Sequence, residues 1–462
     1  MKSLTRIISD LLLICLALLV SGCDREPQLQ PVARIGDRSI SQERFAFAYE
    51  LAPRRITEQS PEKARTVVLE NLINRILFSQ EAARRGLDTH PKFIEYEDYY
   101  RRQAVNRESY RREVREKIIV NEEEERQAYE RSKQTLWVKH FEFPDSSTAR
   151  LLIANKLEST HVPVHPWIET RANEVHGAFD LIGWNTVDAG IEDVLDTLEP
   201  GQYSEPLNYG KKYHVFFLVD AIRDVMQREN DFQAQRESIH GVLRKRKENT
   251  RSLEFVYDHL SPQQLIVRAD ALQHLTDILW KRRPQKRREG PDFIPGEEIR
   301  LIESGVDNLV DAVLAEYRDG TMDCHTFLRF YKLNPQKMDF SQRLKVLDDI
   351  QNMVGLYVRD QVLSDYGLSL GLDSAPAVME DYEDDRDRLL AGLLQHDLAA
   401  SLPVEAVSET PGSDRYTALE SALLDSLQGI TDIAVDMEVL MAIHTSDEGL
   451  SRKMDFSTIR MQ

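Results

Sequence analysis

Two histidines, His140 in "VKHFEF" and His214 in "YGKKYHVFFLVD", each sit in a short run of β-branched and aromatic residues. An imidazole in such a run has three uses: a proton donor and acceptor near neutral pH, a metal ligand, or a hydrogen-bonded polar residue in a core. Strand alternation puts His140 on one face with Val138 and Glu142, and His214 on one face with Phe216 and Leu218. The residue types leave all three uses open, and a buried, satisfied histidine is the plainest.

Other chemistry-bearing clusters are weaker. "HVPVH" pairs His161 with His165, but Pro163 denies the pair a helix and no third ligand adjoins it, so a solvated loop is expected. "KRRPQKRR", 281–288, is a basic run that reads as a loop near solvent or anionic headgroups. "YYRRQAVNRESYRREVREK" mixes tyrosine with arginine, as expected of a solvated arginine face over an aromatic core face. No phosphate-binding loop, dinucleotide fingerprint or nucleophile elbow is present in the sequence. With 59 Lys and Arg against 78 Asp and Glu, the formal charge is −19, which argues against a general polyanion binder. Nucleic acid is therefore not an expected partner, and neither a cofactor nor a metal is expected.

The elements that must position the two histidines come from a change of pattern near residue 136. "LWVKHFEFP" reads as a strand, 145–159 as a helix, "IGW" as a short strand, 189–198 as a short helix, and 203–207 and 212–221 as strands. Mixed elements this close together predict an α+β domain over 134–223. Upstream, 32–133 reads as a helical module. It contains a strand and turn in "VARIGDRS", a helix capped by Ser41, a long helix ending before Gly86, a restart near Pro91, and "NEEEERQAYERS" with acidic residues in its first turn. Residues 224–262 read as a charged connecting helix.

The remainder repeats the first module. A shift of 285 lays "SQEAARRGLDTHPKFIE" on "SDYGLSLGLDSAPAVME", matching Gly86 with Gly371, Pro91 with Pro376 and Glu95 with Glu380. A shift of 282 matches Asp37 with Asp319, Phe45 with Phe327 and Tyr49 with Tyr331. The predicted fold class is thus α+β, with the mixed domain inserted between helical modules at 32–133 and 263–400. Residues 401–462 read as a tail with no clear second mixed domain.

The mixed stretch resembles the parvulin family of peptidyl-prolyl isomerases. The resemblance rests on His140 before an apolar pair, Gly183-Trp184, the turn in "LEPGQYSEPL", and the last strand in "GKKYHVFFLVD". The upstream module resembles the chaperone module of SurA-like and PrsA-like exported foldases. The resemblance implies a site in which His140 and His214 lie on adjacent central strands and hydrogen-bond to one another beneath the bound peptide. Trp184, Val187 and Ile191 would line the substrate side. Where the family has methionine and phenylalanine in the proline pocket, this chain has the smaller Val187 and Ile191. The usual cysteine or aspartate before the glycine-rich turn has no clear counterpart, although Glu174 and Asp180 lie nearby. Weak isomerase activity, or none, is the consequence.

The first residues bear on location. "MKSLTRIISDLLLICLALLVSGCD" has cationic Lys2 and Arg6, an apolar run, and a Val20-Ser21-Gly22-Cys23 ending that resembles the bacterial lipobox. It implies removal of 1–22, a lipidated Cys23 and a tether at 23–31. Asp24 would then favour the inner membrane in some Gram-negative lineages. Residues 1–22 carry a net +1 (Lys2, Arg6, Asp10), so the remaining chain would carry −20. Loss of Cys15 and lipidation of Cys23 would leave Cys324 alone, and stability would rest on packing rather than disulfides. The expected function is a lipid-anchored envelope foldase acting on unfolded or exported polypeptides; a non-catalytic interaction lipoprotein is the alternative.

Overall fold

The computed structural model describes residues 30–57, 59–155, 179–210, 212–224, 228–283, 293–294, 299, 301, 312–401 and 414–445. The chain has an α+β fold that divides into two compact units, residues 1–109 with 265–461, and residues 110–264. No helix among the described residues is long and apolar enough to cross a membrane. The lipobox, its Cys23 and the "HVPVH" loop lie outside the described residues, as does most of the basic run 281–288.

The first unit contains two stretches with the same order of elements. In the first, β1 (Ala33–Ile35) and β2 (Arg38–Ile40) form a hairpin, followed by α1 (Gln42–Glu50), the short α2 (Arg54–Thr57), α3 (Pro61–Arg84) and α4 (Pro91–Glu113), whose last turn belongs to the second unit. Ser41 caps α1 by accepting the Arg44 amide, and Phe45 is fully buried. The stop after α3 is Gly86 in the left-handed region at φ 76°, a position glycine tolerates at no steric cost.

The second stretch lies beyond the other unit's chain segment. It comprises β8 (Val313–Tyr317), β9 (Gly320–Asp323), α10 (Cys324–Leu333), α11 (Arg343–Ser369) and α12 (Pro376–Ala400). Asp323 caps α10 through the Thr326 amide, Phe327 is fully buried, and Gly371 ends α11 at φ 71°. Matching local chemistry thus produces matching local structure.

Each stretch is completed by the other. α12 lays Leu390, Leu394 and Leu398 into the core formed by β1, β2, α1 and α3. α4 sends Tyr99 to the core built from β8, β9, α10, α11 and α9 (Ala269–Lys281). Farther along α4, Ala104 and Val105 pack with Leu372, Ala375 and Val378. The third strands come from outside as well: β7 (Ile266–Val267) pairs antiparallel with β8, and β10 (Ile433–Val435) pairs antiparallel with β1.

Two expected boundaries change. Residues 401–462 are not a separate tail in their described part: α13 (Asp414–Ile430), β10 and α14 (Met437–Ala442) supply Tyr416, Leu427 and Leu440 to the first core. The expected module 32–133 also divides, because 110–133 belongs with the mixed domain. The cause is packing of α5 (Glu122–Ser132) on α8 (Glu229–Leu260), where Ala128 and Tyr129 meet Phe232 and Ile239. Asn121 holds the start of α5 with a reciprocal capping box to Glu124, and four glutamates in its first turn suit the positive end of the helix dipole.

Candidate functional site

The second unit is built on a four-stranded antiparallel sheet in the order β4 (Asp180–Gly183), β3 (Gln134–Phe143), β6 (Lys212–Arg223), β5 (Leu207–Tyr209). β3 and β6 are the two central strands, and their register sets His140 opposite Phe216 and Glu142 opposite His214. Side chains alternate across a strand, so His140, Glu142, His214 and Phe216 share one face. The other face holds Phe141 and Val215 against Ala149 and Leu152 of α6 (Ser146–Asn155).

The two imidazoles meet. His140 Nε2 lies 2.8 Å from His214 Nδ1, and the rings are nearly parallel. His214 Nε2 lies 3.1 Å from the Tyr209 carbonyl oxygen, which can only accept, so Nε2 carries the proton. In neutral rings His214 Nδ1 is then an acceptor, and His140 donates to it from Nε2. His140 is buried and stacks on the fully buried Phe216 at 4.9 Å between ring centres, while His214 is half-buried. One histidine is held in the core and the other faces outward.

The strand that carries His214 is pinned by the turn before it. Gly201, at φ +90°, donates its amide to the Leu218 carbonyl at 2.7 Å, and Ser204 exchanges hydrogen bonds with the Phe216 backbone at 2.7 and 2.9 Å. Glu142, on the histidine face, accepts a hydrogen bond from Lys212. That bond holds the Glu142 carboxyl below the usual range against the opposing effect of burial, with the charges of Lys212, His214 and His140 acting in the same direction as the bond. Glu142 stays ionised beside the pair.

α7 (Ala189–Leu195) covers this face. Asp188 caps it through the Gly190 amide at 2.8 Å. Ile191 is buried among Leu136, Val138, Ile182 and Phe216, with Val187 packed at the edge of the same cluster. Both thus lie on the histidine face, with Ile191 filling the core there. Trp184 is elsewhere. It follows Gly183, which pairs with Thr135, five residues and about 17 Å along β3 from His140. Its ring packs on the α5–α8 cluster, with the Arg246 guanidinium 5.3 Å from the ring centre. The strand end turns it to a helix interface, which residue type alone does not reveal. Of the two acidic residues near the glycine-rich turn, Asp180 is fully buried opposite Val138, and Glu174 lies outside the described residues.

Comparison with known proteins adds little. No family model matches, and no curated protein matches. Solved structures do. One, from the SurA-like chaperone pair PEB4 and Cj1289 of Campylobacter jejuni, is 16% identical, with 52% of this chain and 100% of that chain covered and a TM-score of 0.23. The peptidylprolyl isomerase PrsA of Bacillus cereus is 17% identical over 48% of this chain and 86% of its own, at 0.19. That of Bacillus anthracis is 11% identical over 46% and 94%, at 0.23. At these values the likenesses carry no argument about chemistry, which has to come from the side chains.

The first unit carries a different kind of surface. A cavity of about 480 Å³ is lined by Tyr99, Tyr100 and Gln103 of α4, Arg44, and Asp384 and Arg388 of α12. Tyr99 also lines a neighbouring cavity of about 180 Å³, and Tyr100 one of about 350 Å³. Tyr99 and Tyr100 of one helix thus each line two cavities, and charged groups of both signs line them too.

Proposed function

We propose that this chain is an extracytoplasmic foldase, anchored by a lipid on Cys23, with a parvulin-like peptidyl-prolyl isomerase module and a helical client-binding module. The observation that carries the isomerase part is the 2.8 Å contact between His140 and His214 on adjacent central strands. Prolyl isomerisation requires no proton removal; its barrier of about 20 kcal/mol is that of twisting a conjugated amide. An apolar surface for the ring, plus hydrogen-bond donors that strengthen as conjugation is lost, lowers it. In this reading His140 orients His214, and His214 faces the peptide. Client polypeptides occupy the Tyr99 and Tyr100 cavities of the helical unit.

The second reading, a non-catalytic interaction lipoprotein, is favoured by one observation. Ile191 fills the sheet core and Val187 is small, which leaves little of the residue volume that the family places over the histidines.

The test is a protease-free prolyl isomerisation assay on residues 24–462. A modest acceleration over the spontaneous rate is expected, rising when Val187→Met and Ile191→Phe are combined. No acceleration by either form, with folding confirmed by circular dichroism, leaves the interaction reading. Suppression of aggregation of an unfolded client tests the chaperone part separately.

A further inference from the structure

We infer that His140, Glu142 and His214 form a transition-metal site suited to Zn²⁺, and that metal binding and the His140–His214 hydrogen bond exclude one another. The ligand atoms of the three residues all lie within 4.8 Å of one another. Two imidazoles and a carboxylate, with a further position for water, form a familiar Zn²⁺ donor set. All three are held by the central strands, 140 and 142 two residues apart on β3 and 214 directly across from 142 on β6.

The surroundings of His214 favour this. Its Nε2 donates to the Tyr209 carbonyl, so its Nδ1 lone pair is aimed at the other two ligands. Metal-bound imidazoles are usually oriented by such a hydrogen bond from their second nitrogen. Glu142 and His214 are half-buried, so a cation reaches the site from the solvent side while His140 closes it from the core.

Three rearrangements are needed. The facing nitrogens part from 2.8 Å to roughly 3.3 Å, the separation that two ligands about 2.05 Å from a tetrahedral Zn²⁺ require. The His140 proton moves from Nε2 to the buried Nδ1 when a local opening of the sheet face admits water, so both rings stay neutral and no proton is lost. Glu142 exchanges its ion pair with Lys212, whose ammonium is exposed, for the cation, and pairs open to solvent at one end are weak. Lys212 is then a competitor for the same carboxylate.

The inference stands on these three side chains and not on isomerase activity, and its test reads metal directly. The full chain is titrated with Zn²⁺ against a chromophoric chelator, and with Co²⁺ for the visible absorption of a tetrahedral site. One tight site per chain is expected. His214→Ala and Glu142→Gln should each weaken it by about 10- to 100-fold, and Lys212→Ala should tighten it. Absence of a tight site overturns the proposal, and so does an affinity unchanged in both ligand variants or lost only on replacing His161 and His165. An inactive isomerase with the expected metal pattern leaves it standing.

Discussion

The two repeated stretches of the helical unit share a topology and differ in what joins them. Where α12 meets the first stretch, the joint is ionic. Asp387, fully buried, accepts from Arg38 at 3.0 and 2.8 Å and from Arg44 at 3.0 Å, while Asp384 meets Arg44, Arg75 and Arg388. Burial alone would raise the Asp384 carboxyl, and the charges of Arg44, Arg388 and Arg75 outweigh it, holding it below the usual range. At the related positions of α4 stand Tyr99 and Arg102. There the joint is aromatic, with Tyr99 edge-on to Phe330 and Phe330 edge-on to Tyr357, and Arg102 reaches Asp365 nearer the surface. The exchange of last helices therefore depends on an apolar helix face, and tolerates quite different chemistry beside it.

This contrast is tested most severely at Asp387. Replacing it with alanine leaves the buried Arg44 guanidinium with Asp384 alone and Arg38 with only the exposed Glu383. Breaking a buried pair in this way costs about 3–5 kcal/mol. The related change, Arg102→Ala, removes part-exposed pairs and costs under about 1 kcal/mol. Hydrogen exchange should accelerate strongly over α3 and α12 in the first variant and little over α4 and α11 in the second. Equal effects would mean that the two joints are energetically alike.

The joints also differ in how closely helices approach. A Cβ on Gly367 of α11 would lie 2.5 Å from both Val105 Cγ1 and Ser109 Oγ of α4. The related position of α3 is Ala82, which is fully buried with its methyl accommodated. Gly367→Ala gains about 1 kcal/mol of helix propensity. Overpacking against a stiff β-branched residue costs about 1–3 kcal/mol, and that term is expected to win. The reverse change, Ala82→Gly, should cost about 1 kcal/mol from propensity alone. Urea midpoints for the pair decide it: a stabilised Gly367→Ala would show that α4 can move away.

What could be read from the sequence follows the same division between local and distant. The cap at Ser41, the stops at Gly86 and Gly371, and the restarts at Pro91 and Pro376 depend on neighbouring residues, so the repeat was visible. Which helix covers which apolar face is not encoded in periodicity, and the exchange of α4 and α12 went unseen. β10 is three residues of "IAV", too short to distinguish from a loop, and so 401–462 read as a tail. At the candidate site, alternation already placed Glu142 on the face of His140. Its approach to His214 depends on the β3–β6 register, which also brings together His140 and His214, 74 residues apart. The packing of Trp184 is not legible in the sequence, because the partner of a residue just past a strand end is set by whatever helix lies there, here α8.

The smallest expected effect separates the two stretches by pH. Glu81, near the end of α3, accepts from Arg84 at 2.6 and 2.7 Å and from Arg85 at 2.7 Å. The Arg84 bonds lead in holding its carboxyl down to about 2; burial opposes them, and Arg85 adds to them. The folded value lies below the ordinary 4.5. The resulting stability is therefore complete above the ordinary value and fades as pH falls toward the folded one. The related residue of α11 is Tyr366, which has no charge to lose in that range. Glu81→Gln should thus destabilise the chain near neutrality, and its urea midpoint should converge on that of the parent as the pH approaches about 2. Tyr366→Phe should shift the midpoint by an amount independent of pH over the same window. A constant offset for Glu81→Gln would mean that the arginines pack against Glu81 without stabilising its charge, and the acid sensitivity assigned to the first stretch would then belong elsewhere.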